Sequence, residues 1–234
     1  MHVTSDLYKE LYNGKHTVDL ELEMPGVATF GMNQLISVST ARKVFAADTP
    51  AAGGACAGEI SLEMLKPRVA IPRRQKMLFR IRLTDGVRYS EWIPKGTFYI
   101  DNRQTKGKGA GMERLVIQGY DAMLMAEDDY PETSLDWPAA DVDVLREVAA
   151  KMGVEISEET LSLITEGYVV QYPAGYSQRE VLGYIAAMYA GCFIINDDGH
   201  LHLIQINGIP EEIYYLVSEK GQPILIGGVP IRVR

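Results

Sequence analysis

Val18, Leu20, Leu22 and Met24 alternate with Asp19, Glu21 and Glu23. A period of two puts successive side chains on opposite faces, so this run predicts a strand with one buried and one wet face, ended by Pro25-Gly26. The same alternation returns at Ile60, Leu62 and Met64, set between Glu59, Ser61 and Glu63. It returns again at Met77, Phe79, Ile81 and Leu83, where Arg80 and Arg82 take the wet side and Asp85-Gly86 supplies a turn. Residues 98–100 and 115–117 add two short strands, separated by a Gly- and Lys-rich stretch at 105–111 that reads as a hairpin tip. The segment Ser90 to Asp101, which ends in the first of these strands, reads SEWIPKGTFYID: Trp92 and Ile93 are expected to pack inward and Pro94-Lys95-Gly96 to turn the chain. Short strands punctuated by turns at this spacing predict a small antiparallel β-barrel or sandwich ending near Ala126. Ahead of it, Thr4 or Ser5 caps a short helix through Leu7, Tyr8 and Leu11 to Asn13-Gly14.

Beyond the acidic turn Glu127-Asp128-Asp129 the period changes. Val142, Leu145, Val148, Ala149 and Met152 recur at helical spacing, with Asp141 as the expected N-cap and Gly153 as the stop. A shorter helix follows Ser157, and Ser177-Gln178-Arg179-Glu180 is a capping box opening a third, with Val181, Leu182, Ile185, Ala186 and Tyr189 inward. Residues 192–196 and 200–206 form a hairpin around Asp197-Asp198-Gly199. The fold class is therefore α+β, mainly β. Residues 1–128 form the barrel, 129–206 a small α+β domain, and 207–234 a strand-like segment suited to begin a second barrel or to pair back onto the body.

Composition narrows the class without deciding it. Of 234 residues 47% are hydrophobic and 23% charged, enough apolar material for a core without covalent staples. Cys56 and Cys192 lie far apart with no CxxC, so they are expected as buried hydrophobes in a reducing compartment rather than a zinc site or disulfide. The N-terminal residues lack the pattern of a secretory signal, and no run approaches a membrane span. Net charge is −8, unevenly spread: 13 Lys/Arg against 4 Asp/Glu over residues 66–114, then 2 against 13 over 120–166. That asymmetry describes either solvated faces or regions that dock between neighbouring copies.

Candidate chemistry is sparse. There is no GxSxG elbow and no GxxxxGK[ST] loop; Gly107-Lys108-Gly109-Ala110-Gly111 lies between antiparallel strands and leads into no helix. His200 and His202, two apart on a strand, share a face, yet zinc asks for three or four protein ligands. Glu158-Glu159 and Glu127-Asp128-Asp129 are adjacent acids suited to helix dipoles and solvation, not two carboxylates across a cleft. No groove-reading helix or interleaved aromatic platform accompanies Arg80-Ile81-Arg82, so nucleic acid is not the expected partner. Seven of 13 tyrosines lie from Tyr168 onward, as half-buried edges or as an interface. The residues thus nominate no catalytic, cofactor-binding or metal-ligating group.

Taken in order, SDLYKEL, AGEISLEML, SEWIPKGTFYID, LVIQGYDAMLMAE, the DVDVLREVAAKMGV helix, the YSQREVLGYIAAMYAG helix and the DDGHLHL hairpin resemble the tail-tip hub proteins of prophages and siphophages of Gram-positive hosts. Those are similar in turn to contractile-tail hubs and the base of type VI secretion spikes. The resemblance implies a non-enzymatic virion component, assembled in the host cytoplasm. It would join tail tube to tip or fibre, as a homotrimer when full-length, with other tail proteins as partners and no membrane or cofactor. A fragment of a tail-associated cell-wall hydrolase, or a host glycan- or receptor-binding module, is the alternative.

Overall fold

The computed structural model describes residues 4–45, 51–107, 112–130, 133–165 and 167–206, together with the backbone of four two-residue strands between 214 and 233. Helix α1, Asp6–Asn13, is capped by the Ser5 hydroxyl, which accepts from the Tyr8 amide. Eight strands follow: β1 Thr17–Met24, β2 Ala28–Gly31, β3 Leu35–Arg42, β4 Gly54–Cys56, β5 Gly58–Leu65, β6 Lys76–Thr84, β7 Ile93–Lys106 and β8 Arg114–Tyr120. All but β4 form one seven-stranded antiparallel sheet in the order β2-β1-β6-β7-β8-β5-β3.

The predicted barrel is not closed: no ladder joins β2 to β3 among the described residues. The sheet is nevertheless strongly curled. Its edge strands are consecutive in the chain and joined by a tight turn in which the Gln34 amide donates to the Gly31 carbonyl. In a flat seven-stranded sheet those edges would lie about 29 Å apart. Inside the curl, Leu22, Met24, Ile60, Met77 and Ile117, alternating apolar positions read from the sequence, pack in one core with Phe30 of β2.

Strands β2 to β4 carry no such alternation. β3 is an edge with Ile36, Ser37, Ser39, Thr40 and Ala41 all exposed, so neither face carries the burial that writes a period-two pattern. The segment 93–96 also departs from expectation. The chain does not turn there but runs straight through β7, with a β-bulge at Lys95, because Phe79 pairs with Gly96 and Arg80 with Pro94. Gly96 has φ 133°, and a Cβ on it would sit 2.7 Å from the Phe98 ring. Of the predicted hairpin tip, Thr105 and Lys106 belong to β7, and residues 108–111 lie outside the described residues.

After a 3₁₀ turn, Ala122–Glu127, come β9 Ala139–Ala140, α2 Asp141–Met152, α3 Glu158–Leu163, β10 Val169–Val170, α4 Gln178–Met188, β11 Gly191–Ile195 and β12 Leu201–Gln205. Helix α4 opens on the capping box, Ser177 and Glu180 each bonding the other's backbone amide. Asp141 is not the N-cap of α2. Ala140 holds that position, and Asp141 is the first helical residue, fully buried, its carboxylate accepting from the Val142 amide and, at 2.5 Å, from the Tyr189 hydroxyl. Val144, Leu145, Val148, Leu182, Ile185 and Phe193 centre a second core.

Strand β4, from the β3–β5 connection, pairs in parallel with β11 to give a three-stranded sheet β12-β11-β4. Ala55 lies in the second core with Met123 and Ala126 of the 3₁₀ turn, so that core draws on sequence from both sides of Asp128. Toward the C-terminus, Tyr214–Tyr215 pairs with Arg232–Val233 and Leu225–Ile226 with Val229–Pro230, both antiparallel. The other residues of 207–234, expected to begin a second barrel or to pair back onto the body, lie outside the described residues.

Candidate assembly surfaces

Four regions gather polar and aromatic side chains that bear on assembly. The first is the outer face of β1 and β6. Arg80 pairs with Glu21 and Arg82 with Asp19 at 3.1 Å, each directly across the strands, and Arg80 also reaches the diagonal Glu23 at 3.4 Å. The guanidinium of Arg82 lies 4.2 Å from the Tyr89 ring centroid and 4.5 Å from that of Trp92, and Arg80 lies 5.5 Å from Trp92. Trp92 therefore does not pack inward as expected; only Ile93 does. An aromatic platform does accompany the arginines, but their carboxylate partners and the stacked rings already occupy the guanidinium groups, which leaves this face a self-satisfied patch.

The second region is the seam between the two cores. Asp121, 1% exposed, accepts from the Gly58 amide at 2.6 Å and from the Met123 amide at 3.0 Å, capping the 3₁₀ turn. Burial pushes its carboxyl up to about 6, against the opposing pull of those two amides and of Arg42 and Arg179. Arg42 pairs with Asp197 of the β11–β12 turn at 2.7 Å. Arg179 bonds the Ala55 carbonyl at 2.7 Å and pairs with Glu127. Helix α4 comes so close to the chain before β4 that a Cβ on Gly183 would meet the Gly53 carbonyl oxygen at 2.8 Å.

The third is an acidic, tyrosine-lined surface. Tyr130, Trp137 and Tyr172 meet edge to face with centroids 5.4–6.4 Å apart, and Tyr176 meets Tyr184 at 5.4 Å. Backbone bonds hold the two groups together, Tyr130 amide to Tyr176 carbonyl and Gln178 amide to Asp128 carbonyl. Exposed Asp128, Asp129 and Asp136 stand among these rings, and Tyr172, Tyr176 and Tyr184 are themselves exposed, Tyr184 by 56%. Below, the Glu147 carboxylate accepts from the Tyr130 and Thr133 hydroxyls at 2.5 and 2.8 Å; burial, and then the bond to Glu147, raises the Tyr130 phenol above its ordinary range.

The fourth is a basic lobe at the far end of β5. Two clefts flank Lys66 and Pro67, one lined by Val69, Ile71, Arg103 and Leu115, the other by Leu65, Arg68 and Met112. Lys66 pairs with Glu113 and Arg114 with Glu63, while the Arg103 guanidinium donates to the Ile71 carbonyl.

His200 and His202 do not converge. His202 bonds Ser157 Oγ at 2.8 Å, and burial lowers its pKa; His200 precedes β12 and faces Glu155 at 3.7 Å. No group of three or more His, Cys, Asp or Glu suited to a metal occurs among the described residues. Cys56 and Cys192 are buried free thiols, brought onto adjoining strands β4 and β11 although 136 positions separate them in sequence (192 − 56). Among the described residues no helix is long and apolar enough to cross a membrane.

No protein-family model matches the sequence, and no curated protein matches it. Solved structures do. The 43 kDa tail protein of prophage MuSo2 from Shewanella oneidensis superposes with a TM-score of 0.54 at 14% identity, over 80% of this chain and 53% of its own. A tail protein from Neisseria meningitidis MC58 gives 0.52 at 14% identity, over 88% and 53%. The chain thus spans about half the length of the structures it matches. At that identity the likeness is one of fold, and it covers both the curled sheet and the α+β unit: this chain has the fold of roughly half of a prophage tail protein.

Proposed function

We propose that this chain is a non-catalytic structural component of a phage or prophage tail, built into the tail tip or baseplate hub. There it joins the tail tube to the tip or fibre by protein–protein contacts. The observation that carries this reading is the match of 80–88% of the chain to two prophage tail proteins. The order of sequence segments resembling tail-tip hubs supports it independently, and supplies the finer assignment to the hub of siphophage tails from Gram-positive hosts. In its full-length context the protein works as a trimer among other tail proteins, in virions assembled in the host cytoplasm. The surface chemistry agrees with assembly: charged and tyrosine-rich faces suit protein contacts.

Particles purified after prophage induction test the proposal. Peptides of this chain are expected in the tail fraction by mass spectrometry, and deletion of its gene should leave tails that fail to complete. Its absence from purified tails, or intact infectious particles after deletion, would refute the assignment. Purified protein incubated with peptidoglycan should release neither sugars nor peptides; release would support the hydrolase alternative instead.

A further inference from the structure

The basic lobe and the acidic tyrosine surface are complementary in chemistry and separated within one molecule. In the lobe Lys66 pairs with Glu113 and Arg114 with Glu63, Arg103 bonds a backbone carbonyl, and Arg68 and Lys106 are exposed with no ion-pair partner among the described residues. Met112, 77% exposed, and Val69 give the lobe apolar tips beside the charges. On the other surface, Asp128, Asp129 and Asp136 have no ion-pair partner among the described residues and stand beside the exposed rings of Tyr172, Tyr176 and Tyr184. Carboxylates beside aromatic faces are what a guanidinium binds best, and this molecule already uses the combination at Arg82, between Asp19, Tyr89 and Trp92.

One copy cannot bring the two together. The lobe gathers where β5 ends at Leu65 and pairs with Arg114, whereas the second core joins the sheet where β5 begins, at Gly58 against Asp121. The eight residues of β5 hold those ends about 23 Å apart. Building on the assembly reading above, we infer that the basic lobe of one copy docks on the acidic tyrosine surface of a second copy. Arg68 and Lys106 meet Asp128, Asp129 and Asp136, and Met112 packs among the tyrosines. The two patches differ, so the contact is head-to-tail and propagates into a ring or a short chain of copies rather than a closed two-fold dimer. Its strength falls with added salt, because rim charges are screened over about 10 Å at 0.1 M ionic strength.

Sedimentation velocity on the purified protein tests this with two charge-reversal variants, Arg68→Glu with Lys106→Glu, and Asp128→Lys with Asp129→Lys and Asp136→Lys. Wild type is expected to associate in low salt and to dissociate at about 0.5 M. Each variant alone should lose at least about tenfold in association, with an unchanged circular dichroism spectrum, and an equimolar mixture should associate again because each supplies the surface the other lacks. Should a lysine variant unfold, the neutral pair Arg68→Gln and Lys106→Gln gives the same readout on the basic side alone. A monomeric wild type, variants that associate like wild type, or a mixture that stays monomeric would overturn the inference. So would a basic lobe whose reversal abolishes binding to a DNA duplex while leaving self-association intact. None of these outcomes touches the tail assignment, which is read on particles.

Discussion

Asp121 shows how much a single side chain can hold at a seam. Its carboxylate takes the Gly58 amide of the sheet and the Met123 amide of the following turn, at the cost of burial that raises its pKa from 3.8 to about 6. Because the folded-state value exceeds the unfolded one, the folded chain binds the extra proton between about pH 4 and 6. Stability contributed here is full below about pH 4 and is lost as pH rises through 6, by roughly 2–3 kcal/mol. Asp121→Asn should remove that component, so the difference between wild-type and variant unfolding free energies changes across this window and is flat above pH 7. A difference independent of pH would show that burial does not control this group. Trp92 makes a second residue-scale case. Its ring lies under Arg80 and Arg82, so Trp92→Ala is expected to cost about 1–2 kcal/mol in urea unfolding, less than the 3–5 of a core tryptophan. The sequence does not distinguish these positions: both Trp92 and Ile93 are expected inward, yet strand neighbours face opposite ways, and the bulge at Lys95 sets Ile93 on the buried face with Phe98 and Ile100 and leaves Trp92 on the outer one.

At the scale of elements, legibility follows burial. β5 and β6 are readable because each has one buried face, β1 because Leu22 and Met24 are buried although Val18 is exposed, and α4 because its capping box and apolar stripe agree. The edge strand β3 left no alternation, and β4 is three residues long, its place fixed by pairing with β11, which no local pattern announces. The surfaces were half legible. Charge asymmetry and tyrosine enrichment could be counted, but their gathering at Tyr130, Trp137, Tyr172, Tyr176 and Tyr184 depends on tertiary packing. The contact between α4 and the start of β4 belongs to this scale. Gly183→Ala would force a methyl to 2.8 Å from the Gly53 carbonyl oxygen, backbone that has no flexible end to yield. The expected loss is about 1–3 kcal/mol in thermal or denaturant unfolding. No loss would mean that helix and strand part easily there.

Across the whole molecule, a curled sheet and an α+β unit are tied by β4, by the Arg42–Asp197 pair and by Arg179, while the outward charges remain divided between two ends. Asp197→Ala, which frees the β11–β12 turn from Arg42, should speed amide hydrogen exchange in residues 196–200 while leaving β5 and β8 unchanged. Equal protection would show that the pair does not hold the seam. The central claim, that this body is a structural piece of a phage tail, is met most directly by cryo-electron microscopy of tails purified from the induced host. The account predicts the curled seven-stranded sheet and its three-stranded companion as repeated density at the tip, between tube and fibre. A tail resolved to secondary structure with no such density, in particles that still infect, would contradict it.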